Sequence, residues 1–211
     1  MSRTIRSASI SRKTNETDIA ITLTLDVAVG AAQEINISNR HRILDHMYHA
    51  LAKHSKMSLT IKCKGDLWID DHHTAEDSAL ALGEAFKLAL GERKGIRSTV
   101  QSHPLDEAVL DISSRPYFCG TFNSSGKRSG PVMRDDPARL SVRLPKVQVT
   151  LHVDVIRGER SPQSESAFKA LALAIRKRFK PMAPTMSLDQ GRFGALKIHP
   201  VFTPHINILY W

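Results

Sequence analysis

Residues 65 to 77 read Gly-Asp-Leu-Trp-Ile-Asp-Asp-His-His-Thr-Ala-Glu-Asp, and His72, His73 and Glu76 among them have the types that ligate divalent metals. They stand where a strand-like run gives way to a helix-like one, a junction from which side chains can point into a pocket. If a helix begins near Thr74, His73 and Glu76 are three apart and His72 and Glu76 four apart, so either pair can converge on one ion. Adjacent histidines diverge by roughly 100° on a helix, which suits two neighbouring ions, or one ion and one structural role. The plainer reading is a helix cap, with Asp71 or Thr74 as the cap and Glu76 and Asp77 in the first turn. Capping gives no reason for two histidines.

Further chemistry-bearing residues are scattered. His41, His46, His49, His54, His72 and His73 put six of the ten histidines within 33 residues, and that density raises the odds of ligation above those of any one ring. Glu16, in Lys13-Thr-Asn-Glu-Thr, stands at a strand entrance, where the residues by themselves favour a solvated end over a side chain reaching a site. Arg115 precedes Pro116 in a stiffened loop that could offer a guanidinium to a carboxylate or phosphate, or simply be a surface arginine. His152 shares a strand face with Thr150 and Asp154, where a histidine is more often exposed than a ligand.

The elements that must position these residues follow from periodicity. Asp18 to Ala28 alternates, with Ile19, Ile21, Leu23, Leu25 and Val27 on one face, and predicts a half-buried strand. Leu44, Met47, Tyr48 and Leu51 make the apolar stripe of a helix over 43–56. Leu59, Ile61 and Cys63 alternate as a strand, Gly65-Asp66 turns, and a helix from Thr74 to Leu90 faces Ala79, Leu82, Phe86 and Ala89 inward until Gly91 stops it. Residues 91–108 read as turn-rich, and 123–146, with Pro131, Pro137 and Pro145 among charges, as a linker. Val147 to Val155 predicts a strand and Glu165 to Phe179 a helix burying Phe168, Leu171, Ile175 and Phe179.

A faint internal repeat runs through this order. Sliding the chain by 90 (61 + 90 = 151) lays Leu151 on Ile61 and Val153 on Cys63, and sliding by 89 (76 + 89 = 165) lays Glu165 on Glu76. Two similar halves could face each other and share sites at their junction.

Composition sets outer bounds. A chain of 211 residues, 41% hydrophobic and 24% charged, can bury a full core as one domain or two intimately packed halves. Cys63 and Cys119 are too few for a disulfide framework, which points to a reducing compartment. No apolar run is long enough for a secretory signal or a membrane span, and a cytoplasmic protein fits better than one with a short mitochondrial presequence. The net charge is +9, and from Arg157 to Trp211 nine Lys/Arg stand against three Asp/Glu, a surplus of six. A basic field favours an anionic partner, a phosphate ester or nucleic acid, although solvated surface charge is the commoner source of such a surplus. Nucleic acid is disfavoured, because no recognition motif or aromatic platform accompanies the charge.

Seven runs resemble imidazoleglycerol-phosphate dehydratases, most closely the fungal forms. They are Thr14-Asn-Glu-Thr, Leu44-Asp-His-Met-Tyr-His-Ala-Leu-Ala-Lys-His-Ser, Gly65 to Asp77, Pro104-Leu-Asp-Glu-Ala, Ser114-Arg-Pro-Tyr, Thr150-Leu-His-Val-Asp and Glu165-Ser-Ala-Phe-Lys-Ala-Leu-Ala. The resemblance implies an α+β fold of two duplicated halves, each a small mixed sheet with helices on one face (ribosomal-protein-S5-domain-2-like). The expected boundaries are 1–95, 96–180 and a divergent tail, 181–211. It implies removal of water from imidazole glycerol phosphate to give imidazole-acetol phosphate in histidine biosynthesis. It also implies two manganese ions per site and a homo-oligomer of 24 subunits. Carried over residue by residue, the metal ligands are His46, His72, His73, Glu76, His152 and Glu165. Glu16 corresponds to a substrate-contacting acid/base, with His72 and Glu76 also at the catalytic centre, and Arg97 and Arg115 to substrate-binding arginines.

The likeness has local breaks. Before Glu165 the chain reads Arg160-Ser-Pro-Gln-Ser where a second histidine pair is expected. The family's Ser-x-Lys-Gly tail is absent beyond Pro181, Ser38-Asn-Arg-His-Arg-Ile replaces a Thr-Gly-containing turn, and Ser98-Thr-Val follows Arg97 in place of Arg-Phe-Gly. The alternative these breaks suggest is a catalytically impaired relative that keeps the fold and one metal half-site.

Overall fold

Alternation of Ile19, Ile21 and Leu23 with Asp18, Ala20 and Thr22 builds the strand around which the first half is laid down, its odd positions buried and its even ones open to solvent. The computed structural model describes residues 5–27, 30–91, 99–102, 107–111, 117–121, 150–154 and 163–179, all within one compact unit, Met1–Lys180. In chain order they form β1 (Ser7–Lys13), β2 (Thr17–Thr24), β3 (Ile35–Ser38), α1 (Arg42–Ser55), β4 (Ser58–Gly65) and α2 (His72–Leu90). Then come β5 (Thr99–Ser102), β6 (Glu107–Asp111), β7 (Tyr117–Thr121), β8 (Thr150–Asp154) and α3 (Gln163–Phe179).

The two sheets share one topology. The first has the order β1-β2-β4-β3 and the second β5-β6-β8-β7. In each, the first two pairings are antiparallel and the last is parallel. The ladders confirm the register of the repeat. Ile10, Ile21, Ile61 and Ile37 form one row across the first sheet, and Val100, Leu110, Leu151 and Phe118 one row across the second. The slide of 90 that lays Leu151 on Ile61 also lays Val100 on Ile10. The slide of 89 brings the last residue of α2, Leu90, onto the last of α3, Phe179. The fold is therefore the expected α+β pair of duplicated halves.

Helices cover one face of each sheet. α2 packs on β1 and β2, and the residues it buries are mostly small, Ala75, Ala79, Ala81, Ala85 and Ala89 with Leu82 among them, which lets its neighbours approach closely. α3 packs on β5 and β6, and α1 crosses to it from the first half, setting Tyr48 edge-on to Phe168 with ring centroids 6.3 Å apart. Burial pushes the Cys63 thiol up to about 11, so it stays protonated and serves as a small core residue. Among the described residues no helix is long and apolar enough to cross a membrane.

Several expectations need correction. α2 starts at His72, two residues before the expected Thr74, which places both histidines in its first turn and Glu76 and Asp77 in its second. Asp71 is the cap by position but makes no side-chain capping bond; Asp70 accepts the His72 amide instead, at 2.5 Å. β1, β3, β5, β6 and β7 were not read as strands, and 99–102 and 107–108 lie inside the stretch read as turn-rich. The linker expected at 123–146, the tail 181–211 and the boundary at 95/96 lie outside the described residues.

Candidate active site

The site begins where β4 ends. Thr17 pairs with Gly65 across the sheet, which carries the β1–β2 turn bearing Glu16 alongside the loop that enters α2. The Asp66 amide donates to the Glu16 carbonyl at 3.1 Å, and the Ile69 amide to the Asp66 carbonyl at 2.8 Å, closing the turn that aims the chain into the helix. Gly65 is required by Thr74: a Cβ there would overlap Thr74 Oγ1 and stand 3.1 Å from Thr74 Cβ, and Thr74 is fully buried. The first helical turn, with His72 and His73, is thus pressed against the end of β4.

Both adjacent histidines are used, with different partners. His72 Nε2 lies 3.0 Å from Glu76 Oε2, the four-residue pairing that the spacing allowed. His73 turns away, its ring 6.0 Å from that of His72 and inclined by 65°. Its Nδ1 meets the buried Asp66 carboxylate at 3.0 and 3.3 Å, and its Nε2 faces Glu16 Oε1 at 3.7 Å. Glu16 is half exposed, its carboxylate open to solvent on one side and turned toward His73 on the other. A third pairing spans the halves: His46 on α1 lies 3.7 Å from Glu165 on α3, whose other oxygen binds Lys169 at 2.6 Å.

Electrostatics follow these contacts. The hydrogen bond to Asp66 raises His73 above its ordinary value, opposed by partial burial and aided by the charge of Glu16. The Lys169 hydrogen bond holds the Glu165 carboxyl below the usual range, against partial burial, with His46 adding to the effect. A histidine whose folded pKa exceeds its unfolded one adds stability that is complete below the unfolded value and is lost as pH rises through the folded one. An NMR titration of metal-free protein should place the His73 midpoint above 6.5, with the stabilisation declining as pH climbs past that midpoint. A midpoint at or below 6.5 would contradict the Asp66 contact.

The turn that carries Glu16 is itself anchored. Thr14 Oγ1 accepts the amides of Glu16 (3.2 Å) and Thr17 (3.0 Å). Thr17 Oγ1 donates to Asp77 Oδ2 at 2.5 Å, and Arg12 reaches the same oxygen at 2.7 Å. Asp77, next to Glu76 on α2, therefore ties the Glu16 turn to the helix that bears the histidines. His41 does comparable work for α1: its Nδ1 accepts the Leu44 amide at 3.2 Å and its Nε2 lies 3.4 Å from Asp71 Oδ2. Asp66 and Asp77 were absent from the candidates read from sequence, and His41 entered only as one of the clustered histidines. A carboxylate in a turn and one in a helix carry no local mark of a buried partner.

The remaining candidates can be placed only in part. His152 lies in β8, paired in register with Val109 and Cys119. Arg97 and Arg115 lie outside the described residues. Among the described residues no three His, Cys, Asp or Glu side chains form a ready cage for one ion. The donors come instead as imidazole–carboxylate pairs.

Comparison with known proteins bears on what such pairs are for. The family model for imidazoleglycerol-phosphate dehydratase matches residues 39–175. A protein of that name from Phaffia rhodozyma is 54% identical over 180 residues, covering 82% of this chain and 88% of its own length. One from Saccharomyces cerevisiae is 42% identical over 205 residues, covering 84% and 93%. Among solved structures, an imidazoleglycerol-phosphate dehydratase from Staphylococcus aureus superposes with a TM-score of 0.69 at 23% identity, covering 82% of this chain and 97% of that one. One from Pyrococcus furiosus gives 0.64 at 26% identity, covering 79% and 91%.

Proposed function

The chain belongs to the imidazoleglycerol-phosphate dehydratase family, and on that premise we propose that Glu16, His73 and the His72–Glu76 and His46–Glu165 pairs form its reaction centre. It is a hydro-lyase of histidine biosynthesis, removing water from imidazole glycerol phosphate to give imidazole-acetol phosphate. Nothing in the fold or the comparisons favours an impaired relative.

The chemical difficulty is a proton on carbon that no neighbouring carbonyl acidifies. The charge left behind has to pass into the imidazole ring of the substrate. Imidazole and carboxylate donors fit manganese, and the pairs present both types together. Bound there, such an ion supplies a Lewis-acid sink for the charge on the substrate ring. The His72–Glu76 pair would hold one ion and the His46–Glu165 pair another, with His73 and His152 as further ligands. Two donors per pair fall short of a full coordination shell, so the remaining ligands come from elsewhere in the chain or from neighbouring copies. A homo-oligomer, 24 subunits in the proposal, accords with Trp68 and Ile69, which are 81% and 65% exposed beside the site. Arg97 and Arg115 are proposed to hold the phosphate, and the cytoplasm is the proposed location.

Glu16 supplies proton transfer. Its turn is fixed by Thr14 and by the bond from Asp66, while its carboxylate stays half exposed and faces His73. From there it can take the proton from carbon and return it to the departing hydroxyl. The observation that carries this reading is the placement of Glu16 opposite a histidine whose neighbour is already paired with Glu76. Wild-type protein supplied with manganese should convert imidazole glycerol phosphate to a product one water lighter, measured by mass spectrometry. Glu16→Gln should lower kcat by roughly 10²–10⁴-fold without loss of bound metal; an undiminished rate would remove Glu16 from the mechanism.

A further inference from the structure

We propose that Asp66 is a positioning residue for the dehydration: its carboxylate fixes the tautomer and ring angle of His73, and its main chain fixes the turn that carries Glu16. The inference rests on the roles given above to His73 and Glu16 and adds the residue that sets one against the other. The Asp66 side chain is only 4% exposed, where a carboxylate persists only if donors satisfy it. The donor is the His73 ring, whose Nδ1 reaches both oxygens, at 3.0 and 3.3 Å.

Chemistry then fixes the proton. An ionised carboxylate only accepts, so the proton of a neutral ring must sit on Nδ1. That leaves Nε2 with its lone pair free, and this is the nitrogen that faces Glu16 at 3.7 Å. A carboxylate on the far nitrogen is the general means by which a protein fixes which imidazole nitrogen acts and raises its basicity. Asp66 also reaches the other partner. Its amide holds the Glu16 carbonyl at 3.1 Å, and its carbonyl accepts the Ile69 amide in the turn leading to α2. One buried residue thus sets the positions of the ring and of the acid/base carboxylate, which come from separate elements.

The test uses the full chain with Asp66→Ala and Asp66→Asn. In metal-free wild type held at a pH above the His73 midpoint, where the ring is neutral, ¹⁵N-edited NMR should show His73 as the Nδ1–H tautomer, and Asp66→Ala should convert it to a mixture. Manganese affinity, read by EPR from the free ion, should fall about 10–100-fold in the alanine variant, with kcat reduced more than KM is changed. Should the alanine variant not fold, Asp66→Asn carries the test. It keeps the volume and an acceptor, and should retain the tautomer while weakening manganese binding about tenfold. A folded alanine variant with an unaltered His73 tautomer would overturn the proposal, as would a folded asparagine variant with wild-type affinity and kcat. The underlying reading fails separately, if wild type binds no manganese while the tautomer still depends on Asp66.

Discussion

Glu76→Gln is expected to lower kcat on imidazole glycerol phosphate by on the order of 10³-fold or more while leaving the fold intact. Glutamine matches glutamate in shape and in helix propensity, so α2 keeps its geometry. Glu76 is partly exposed, its side chain 25% accessible, and an exchange at such a position ordinarily changes stability by no more than about 0.5 kcal/mol. What is lost is the carboxylate charge opposite His72 Nε2 at 3.0 Å, and with it the tighter of the two imidazole–carboxylate pairs assigned to metal. The measurement is kcat alongside Tm and bound metal per chain. Lost activity at unchanged Tm is the expected pattern, and an active variant with full metal content would exclude Glu76 from the centre.

Gly65→Ala should be the most damaging exchange of a single carbon. The added Cβ would overlap Thr74 Oγ1 and crowd Thr74 Cβ, and Thr74 is fully buried, so Thr74 must turn its hydroxyl within packed surroundings or α2 and β4 must separate. Overpacking of this kind costs about 1–3 kcal/mol. It would also displace His73, the residue before Thr74, from Asp66 and Glu16, so activity should fall further than stability alone accounts for. The cause can be isolated. Among the described residues Thr74 Oγ1 has no hydrogen-bond partner, so Thr74→Ala should be mild on its own. In the Gly65→Ala/Thr74→Ala pair the clash with Oγ1 disappears, and most of the lost stability and activity should return, a coupling of about 1–2 kcal/mol. Additive effects would place the damage somewhere other than this contact.

What could be read from the sequence follows burial. β2, β4, α1, α2 and α3 bury a full face each, and their alternation or stripe is visible in the residues themselves. β1 and β3 were missed because they are the edges of the first sheet. No position in either is fully buried, so Ser7–Lys13 and Ile35–Ser38 show only weak alternation. β5 and β7 are the corresponding edges of the second sheet, and at four and five residues they are too short for a pattern to accumulate. β6, although central, begins inside the stretch read as turn-rich, which hides its five residues, Glu107–Asp111. β8, equally short, was legible because the alternation in the sequence runs from Val147 to Val155.

The candidate site shows the same division. The His72–Glu76 contact was legible because helical spacing alone brings the two together. His46 and Glu165 lie on different halves and were linked only through the resemblance; the packing of α1 on α3 supplies the contact. Asp66 read as a turn residue and Asp77 as a helix-start residue. Their roles arise from folding, which delivers His73 to one and Thr17 and Arg12 to the other. The expected start of α2 was two residues late because Asp70, not Asp71 or Thr74, supplies the capping oxygen.

The most direct test of the whole account is one preparation assayed three times: as purified, after exhaustive chelation, and after manganese is returned. Turnover of imidazole glycerol phosphate should disappear on chelation and return as metal per chain rises again, with the Glu76→Gln protein failing to recover. Undiminished turnover by the chelated protein would contradict the assignment of these imidazole–carboxylate pairs to a metal centre.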